Sequence, residues 1–279
     1  MAPSPVSPVP LFDAYAPAEV AVRVRDVGVA KAQTPLLTLI ALAVLAGAFI
    51  SLGALFYAVT ITSGIGGVPL SFGLNRVAGG IAFSLGLVLV VVGGAELFTG
   101  NNLLAMAWAA NRVTIAQILR NWCWVYLGNL AGSLGTALLV FVAGIHTLGD
   151  GAVGETMVRI AHGKVSLDPP AAVARGILCN VLVCLAVWLC MAARSVADKT
   201  LAILLPISAF VACGFEHSIA NMFFLPLGMV VAAPSGAPIG FGEVVHNLFY
   251  VTVGNILGGT VLVALVYWFV YLRGQGNTG

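Results

Sequence analysis

Six stretches of this chain, near 37–62, 77–108, 122–144, 172–193, 200–232 and 246–272, are long and apolar enough to cross a bilayer. A crossing helix needs about 20 residues at about 1.5 Å rise each. Lipid leaves no partner for an exposed backbone N–H or C=O, so helices or a closed barrel are the only spanning solutions, and runs of this length select helices. Composition agrees: of 279 residues 60% are hydrophobic and 8% charged, where a soluble domain carries about 25% charged residues. The expected fold is all-α and integral to the membrane, with six transmembrane helices. A net charge of +2 and the lack of any basic run exclude nucleic acid as a partner.

The first 36 residues are Pro-rich and amphipathic and lack the apolar core and cleavage site of a secretory signal. They read as a retained cytoplasmic arm before a single pore domain over 37–272, with a short cytoplasmic tail at 273–279. Six spans put both termini on one side, which holds Arg23, Arg25, Lys31, Arg112, Arg120, Arg194, Lys199 and Arg273. Arg76, Arg159, Lys164 and Arg175 fall on the other side. Eight against four places both termini in the cytoplasm. The five cysteines lie in apolar segments without CxxC spacing and read as small core hydrophobes. His146, His162 and His246 form no i, i+4 pair and no HExxH, so no metal or other cofactor is expected. GxSxG, P-loop and dinucleotide fingerprints are absent, and the chain does not read as an enzyme.

The second and fifth stretches exceed one crossing and contain polar interruptions, "ELFTGNN" at 96–102 and "FEHSIAN" at 215–221. Aligning "GAELFTGN" (94–101) with "GFEHSIAN" (214–221) pairs Gly94 with Gly214, Glu96 with Glu216 and Asn101 with Asn221, all at an offset of 120. Further on, "NWCWVYLGNLAGSLG" (121–135) aligns with "NLFYVTVGNILGGTV" (247–261) at an offset of 126, pairing Asn121 with Asn247 and Asn129 with Asn255. Two motifs repeating in the same order divide the chain into halves of three spans, about 37–144 and 172–272, joined by a linker at 145–171. Three is odd, so the second half enters the membrane inverted. A 3+3 inverted repeat with broken second and fifth helices is expected, and it favours a permeation path.

Only Glu96 and Glu216, of ten acidic residues, are expected within the hydrocarbon. Each must be protonated, paired or bonded to backbone N–H groups; a brace for the interrupted helix, the scaffold role shared with Asn101 and Asn221, and direct solute contact both fit the glutamates. His217 has Leu97 as its counterpart, so it breaks the symmetry its neighbour obeys. A histidine there could hydrogen-bond an anion or hand it a proton; a satisfied core histidine is the plainer alternative. Phe83, Leu87, Leu97, Phe98 and Phe210 sit around the interruptions at helical spacing. They are core residues, or they are hydrophobic constrictions that strip water from a passing solute.

"GGIAFSLGLVLVVVGGAELFTGN", "NWCWVYLGNLAGS", "CNVLVCLAVWLCMAARSVADK", "GFEHSIANMFFLPLGM" and "VTVGNILGGTVLVALVYWFVYLR" together resemble the formate/nitrite transporter family over nearly the whole chain past the arm. The resemblance implies an aquaporin-like protomer in a homopentamer, each protomer conducting a small monovalent anion such as formate, nitrite or hydrosulfide, with protons. It makes His217 the central histidine and Thr99 its hydroxyl partner. Asn180 becomes the pore-facing asparagine, Lys164 the vestibule lysine and Glu216 the glutamate beside the histidine, and the five bulky residues become two constrictions. "ELFTGNN" departs from the Ser after Thr of many formate channels, while "GFEHSIANMFFLP" and "FSLGL" lean toward the formate branch, so formate is the expected substrate and nitrite the alternative. A neutral-solute pore, which lacks its Asn-Pro-Ala motif here, and a structural subunit without flux are the remaining alternatives.

Overall fold

The structure, a computed structural model, describes residues 13–62, 70–232 and 238–274. The first twelve residues of the arm and residues 275–279 of the tail lie outside the described residues. All regular structure among the described residues is helical: α1 (Pro17–Ala32), α2 (Leu36–Ile61), α3 (Phe72–Gly93), α4 (Ala105–Ala109), α5 (Ile115–Val142), α6 (Ala152–Val165), α7 (Pro169–Ala192), α8 (Val196–Ala212), α9 (Ser218–Ala232), α10 (Phe241–Ile256) and α11 (Val266–Tyr271). Among the described residues five helices are long and apolar enough to cross a membrane: α2, α3, α5, α7 and the continuous run Phe241–Tyr271, which winds more widely as a π-helix over Leu257–Leu265. α8 and α9, of 17 and 15 residues, are separated by the non-helical segment 213–217. α3 is separated from the 3-10 turn Gly100–Leu104, which leads into α4, by the non-helical segment 94–99.

Local chemistry sets where these helices begin. α5 starts at Ile115, seven residues before the apolar stretch read from sequence. Thr114 Oγ1 accepts the Gln117 N–H at 3.2 Å and Gln117 Oε1 accepts the Thr114 N–H at 2.8 Å, a reciprocal cap. The first turns of α5 carry Gln117, Arg120 and Asn121, which a hydropathy count discards. Asp168 caps α7 by accepting the Ala171 N–H at 3.2 Å, with Pro169 at the first helical position. Ser195 and Asp198 cap α8 reciprocally, at 3.1 and 3.0 Å. The stretch 145–171, read as a linker, contains the helix α6, which packs on α9.

α2 packs between α3 and α5, and α7 packs against α10 and α8. α3 lies along α8, and α1 lies on α4 and the 3-10 turn before it. In lipid the association of helices comes from van der Waals contact, which small residues permit. At Gly132 of α5 an added Cβ would stand 2.0 Å from the Val44 carbonyl oxygen of α2, so only glycine lets these helices meet so closely.

Candidate functional site

Each non-helical segment has a left-handed glycine at or next to its first residue, Gly94 at φ +81° and Gly214, after Cys213, at φ +73°, a conformation that costs other residues their Cβ clearance. Beyond each glycine the same hydrogen bonds recur. Asn129 Oδ1 accepts the Phe98 N–H at 2.9 Å, and its Nδ2 donates to the carbonyls of Glu96 and Ala43 at 2.9 and 2.8 Å. Asn255 Oδ1 accepts the Ser218 N–H at 2.9 Å, and its Nδ2 donates to the carbonyls of Glu216 and Gly176 at 2.9 and 2.8 Å. The Glu96 N–H donates to the Leu42 carbonyl and the Glu216 N–H to the Arg175 carbonyl, each at 3.2 Å. One asparagine in each half therefore supplies the partners that these backbone groups lack for want of a helix.

The carboxylates are held by matching residues, though Lys31 Nζ also donates to Asn101 Oδ1 at 3.0 Å whereas Asn221 Oδ1 has no partner among the described residues. Lys31 Nζ donates to Glu96 Oε1 at 2.8 Å, Asn101 Nδ2 to Glu96 Oε2 at 2.7 Å and to Asn121 Oδ1 at 2.9 Å, and Asn121 Nδ2 to the Lys31 carbonyl at 3.2 Å. In the second half Lys164 Nζ donates to Glu216 Oε2 and Oε1 at 3.0 and 3.1 Å, Asn221 Nδ2 to Glu216 Oε2 at 2.7 Å and to Asn247 Oδ1 at 2.8 Å, and Asn247 Nδ2 to the Lys164 carbonyl at 2.8 Å. Lys31 closes one cluster from α1 and Lys164 the other from α6, at an offset of 133. These lysines supply the compensation that a buried carboxylate requires. From sequence Lys31 reads only as a topology charge, and the family resemblance makes Lys164 the vestibule lysine. Lys164 does line a cavity, yet its ammonium is engaged by Glu216.

His217 and Thr99, 3% and 0% exposed, meet across the two segments, with Nε2 3.0 Å from Oγ1. The Ala220 N–H donates to His217 Nδ1 at 3.1 Å, so the ring acts as the N-terminal cap of α9. This bond fixes the tautomer. Nδ1 must present its lone pair to a backbone N–H, which leaves the proton of the neutral ring on Nε2, donating to Thr99 Oγ1. The Thr99 hydroxyl hydrogen is then left to point at a third group. A second proton on the ring would have to sit on Nδ1, facing the Ala220 N–H.

Two cavities flank this pair. One, of about 320 Å³, is lined by Lys31, Glu96, Leu87 and, on either side of Thr99, Leu97 and Gly100. The other, of about 430 Å³, is lined by Lys164, Glu216, Phe83, Phe210 and His217. Phe83 and Phe210 meet edge to face with centroids 5.5 Å apart, and Phe210 stacks on His217 at 5.9 Å. Phe98 lines neither cavity; its ring turns to Tyr126 and Trp122 of α5, at 5.0 and 6.1 Å. Asn180 Nδ2 donates to the carbonyls of Thr99 and Asn255 at 3.2 and 2.7 Å and to Asn102 Oδ1 at 2.7 Å, and its Oδ1 has no hydrogen-bond partner among the described residues. Among the described residues no group of three or more His, Cys, Asp or Glu could hold a metal ion. All five cysteines are free, and Cys123 and Cys213 are exposed rather than core.

Residues 18–269 match the family model described as "Formate/nitrite transporter". Among curated relatives, the chain is 43% identical over 277 residues to the formate channel FocA of Escherichia coli (strain K12), covering 94% of this chain and 96% of that one. It is 38% identical over 271 residues to a probable formate transporter of Methanothermobacter thermautotrophicus, covering 92% and 97%. Among solved structures, a pentameric formate channel with formate bound superposes with a TM-score of 0.77 at 38% identity, over 85% of this chain and 98% of the other. An ion channel of the same family superposes with a TM-score of 0.79 at 28% identity, over 90% and 98%.

Proposed function

The chain belongs to the formate/nitrite transporter family, and from that premise we propose that it conducts a small monovalent anion, formate first, through a pore within each protomer. The observation that carries this reading is the buried His217–Thr99 pair between two cavities, one ending on Phe83 and Phe210 and the other on Leu87 and Leu97. An anion entering from the Lys164 side sheds water at the Phe83/Phe210 slit, where a bare charge is costly unless polar groups replace its hydration. The Thr99 hydroxyl, itself accepting from His217 Nε2–H, offers the replacement donor, and the Asn180 amide holds the Thr99 backbone in place. The tautomer makes His217 a hydrogen-bond donor first. Handing over a proton requires the imidazolium, hence release of the Ala220 N–H from Nδ1, and we assign proton-coupled passage to that event. On the far side Leu87 and Leu97 form the second slit; Phe98 backs it against α5.

The finer architecture belongs to the same proposal. α2 to α5 and α7 to α11 form a 3+3 inverted repeat in a pore domain over 37–272, with the interruptions at 94–99 and 213–217 breaking the second and fifth crossings. The matched hydrogen bonds at offsets of 120, 126 and 133 support it. Both termini are cytoplasmic in this reading, and the protomers assemble as a homopentamer, as in the pentameric formate channel of similar fold. Glu96, Asn101, Glu216 and Asn221 are scaffold, braced by Lys31 and Lys164. The family description also includes nitrite, the competing substrate.

The test is light-scattering swelling of protein-loaded vesicles in isosmotic formate, nitrite and glycerol. The proposal expects swelling in formate well above empty vesicles and none in glycerol. Swelling in glycerol would mark a neutral-solute pore, and swelling in none of the three a non-conducting subunit.

A further inference from the structure

The two cavities differ in charge where the buried clusters do not. The Lys164-side cavity is lined by Arg76, Arg159, Lys164 and Arg175 against Glu216, so four cations minus one carboxylate leave a formal +3. The Lys31-side cavity has one lysine and one glutamate and is formally neutral. Lys164 is compensated by both oxygens of Glu216, so the excess comes from the arginines. Arg76 donates to the carbonyls of Val211 and Ala212 at 2.7 and 3.0 Å, and Arg159 to Thr156 Oγ1 at 2.9 Å. Among the described residues none of the three forms an ion pair with a carboxylate. At the offsets of 120 and 133 that relate the halves, the positions matching Arg76, Arg159 and Arg175 hold Val196, Asp26 and Leu42. The internal symmetry is kept in the braces and lost at the mouth, and Arg159 and Arg175 are exposed there.

We propose that Arg159 and Arg175, with Arg76 behind them, form an anion-collecting mouth that loads small oxyanions onto the Phe83/Phe210 slit from the Lys164 side only. The proposal rests on the anion-channel reading above. A cavity lined by one sign of charge within low-dielectric walls raises the local concentration of counter-ions. A unit charge about 10 Å from an anion in a water-like dielectric raises the local anion concentration about twofold, so two such charges raise it about fourfold before screening. The Debye length of about 30 Å at 0.01 M salt leaves most of this field, about a threefold effect, and about 3 Å at 1 M removes it.

The experiment compares wild type with Arg159→Gln/Arg175→Gln, reconstituted in one orientation and verified by a C-terminal tag. Initial formate flux is measured from each side at 0.01 M and 1 M ionic strength. The double variant should raise half-saturating formate about threefold from the Lys164 side at low salt, with maximal rate kept, the other side unchanged and no difference at 1 M. Arg159→Lys/Arg175→Lys should behave as wild type. An unchanged half-saturation at low salt, an equal rise from both sides, or a rise persisting at 1 M overturns the mouth. If wild type carries no formate, the channel reading fails and arginine labelling by phenylglyoxal in low salt decides the mouth alone. Protection of Arg159 and Arg175 by sulfate, with Arg112 unprotected, upholds it, and equal labelling overturns it.

Discussion

Lys164→Met strands a carboxylate. Glu216 keeps the Asn221 Nδ2 bond at 2.7 Å but loses both ammonium contacts, at 3.0 and 3.1 Å, with side-chain exposures of 14% for the lysine and 6% for the glutamate. Breaking a buried pair by removing one partner costs about 3–5 kcal/mol. The residual exposure of Lys164 puts this pair at the lower end, about 3 kcal/mol. For a chain of this length about 2 °C is lost per kcal/mol, so apparent Tm should fall about 6 °C. Adding Glu216→Gln removes the stranded charge while Gln Oε1 still accepts from Asn221. The double variant should therefore melt above Lys164→Met, with a coupling of about 2 kcal/mol. The assay is the thermal loss of the oligomer peak in fluorescence-detected size-exclusion chromatography. Lys31→Met should cost less, because the Lys31 side chain is 27% exposed. Additive losses, with the double variant melting below the single, would refute the brace.

His217→Asn should separate the ring's two jobs: Asn can cap α9 through its Oδ1 but cannot reach Thr99 as the ring does, so the oligomer should melt near wild type while formate flux falls at least tenfold, read by stopped-flow light scattering. Thr99→Val removes the hydroxyl that ends the donor chain and should cut flux by about tenfold, a loss of about 1.4 kcal/mol of stabilisation in passage, without changing the elution volume. Gly132→Ala sets a Cβ 2.0 Å from the Val44 carbonyl oxygen and should lower oligomer stability by about 1–3 kcal/mol, seen in the same chromatographic melt.

Much of the fold and part of the site could be read from residue order because repeated function leaves repeated letters. Glu96/Glu216, Asn101/Asn221, Asn121/Asn247 and Asn129/Asn255 stand at constant offsets, and the structure joins them in matching hydrogen bonds. The lysines that complete the clusters were not legible as partners. Lys31 and Lys164 obey a third offset, 133, in segments with no motif around them, and a lysine reads from sequence as a surface charge until packing shows where its ammonium goes. α6 was hidden for a related reason: its polar face makes "AVGETMVRIAHGKV" look like a connection, while its apolar side is buried on α9. Helical spacing left Phe98 either core or constriction, because a side chain in a non-helical segment follows its local backbone; its ring packs on Tyr126 and Trp122 of α5. The tautomer of His217 depends on a backbone N–H three residues away, which becomes a cap only once α9 begins at Ser218.

The central claim is that an anion crosses between two apolar slits by meeting the His217–Thr99 pair. The most direct test is zero-trans flux of isotopically labelled formate into vesicles holding equal amounts of wild type and His217→Phe, with each variant's oligomer checked by size exclusion. The account predicts saturable flux for wild type, and flux indistinguishable from empty vesicles for an intact His217→Phe oligomer. Wild-type flux through His217→Phe would contradict it.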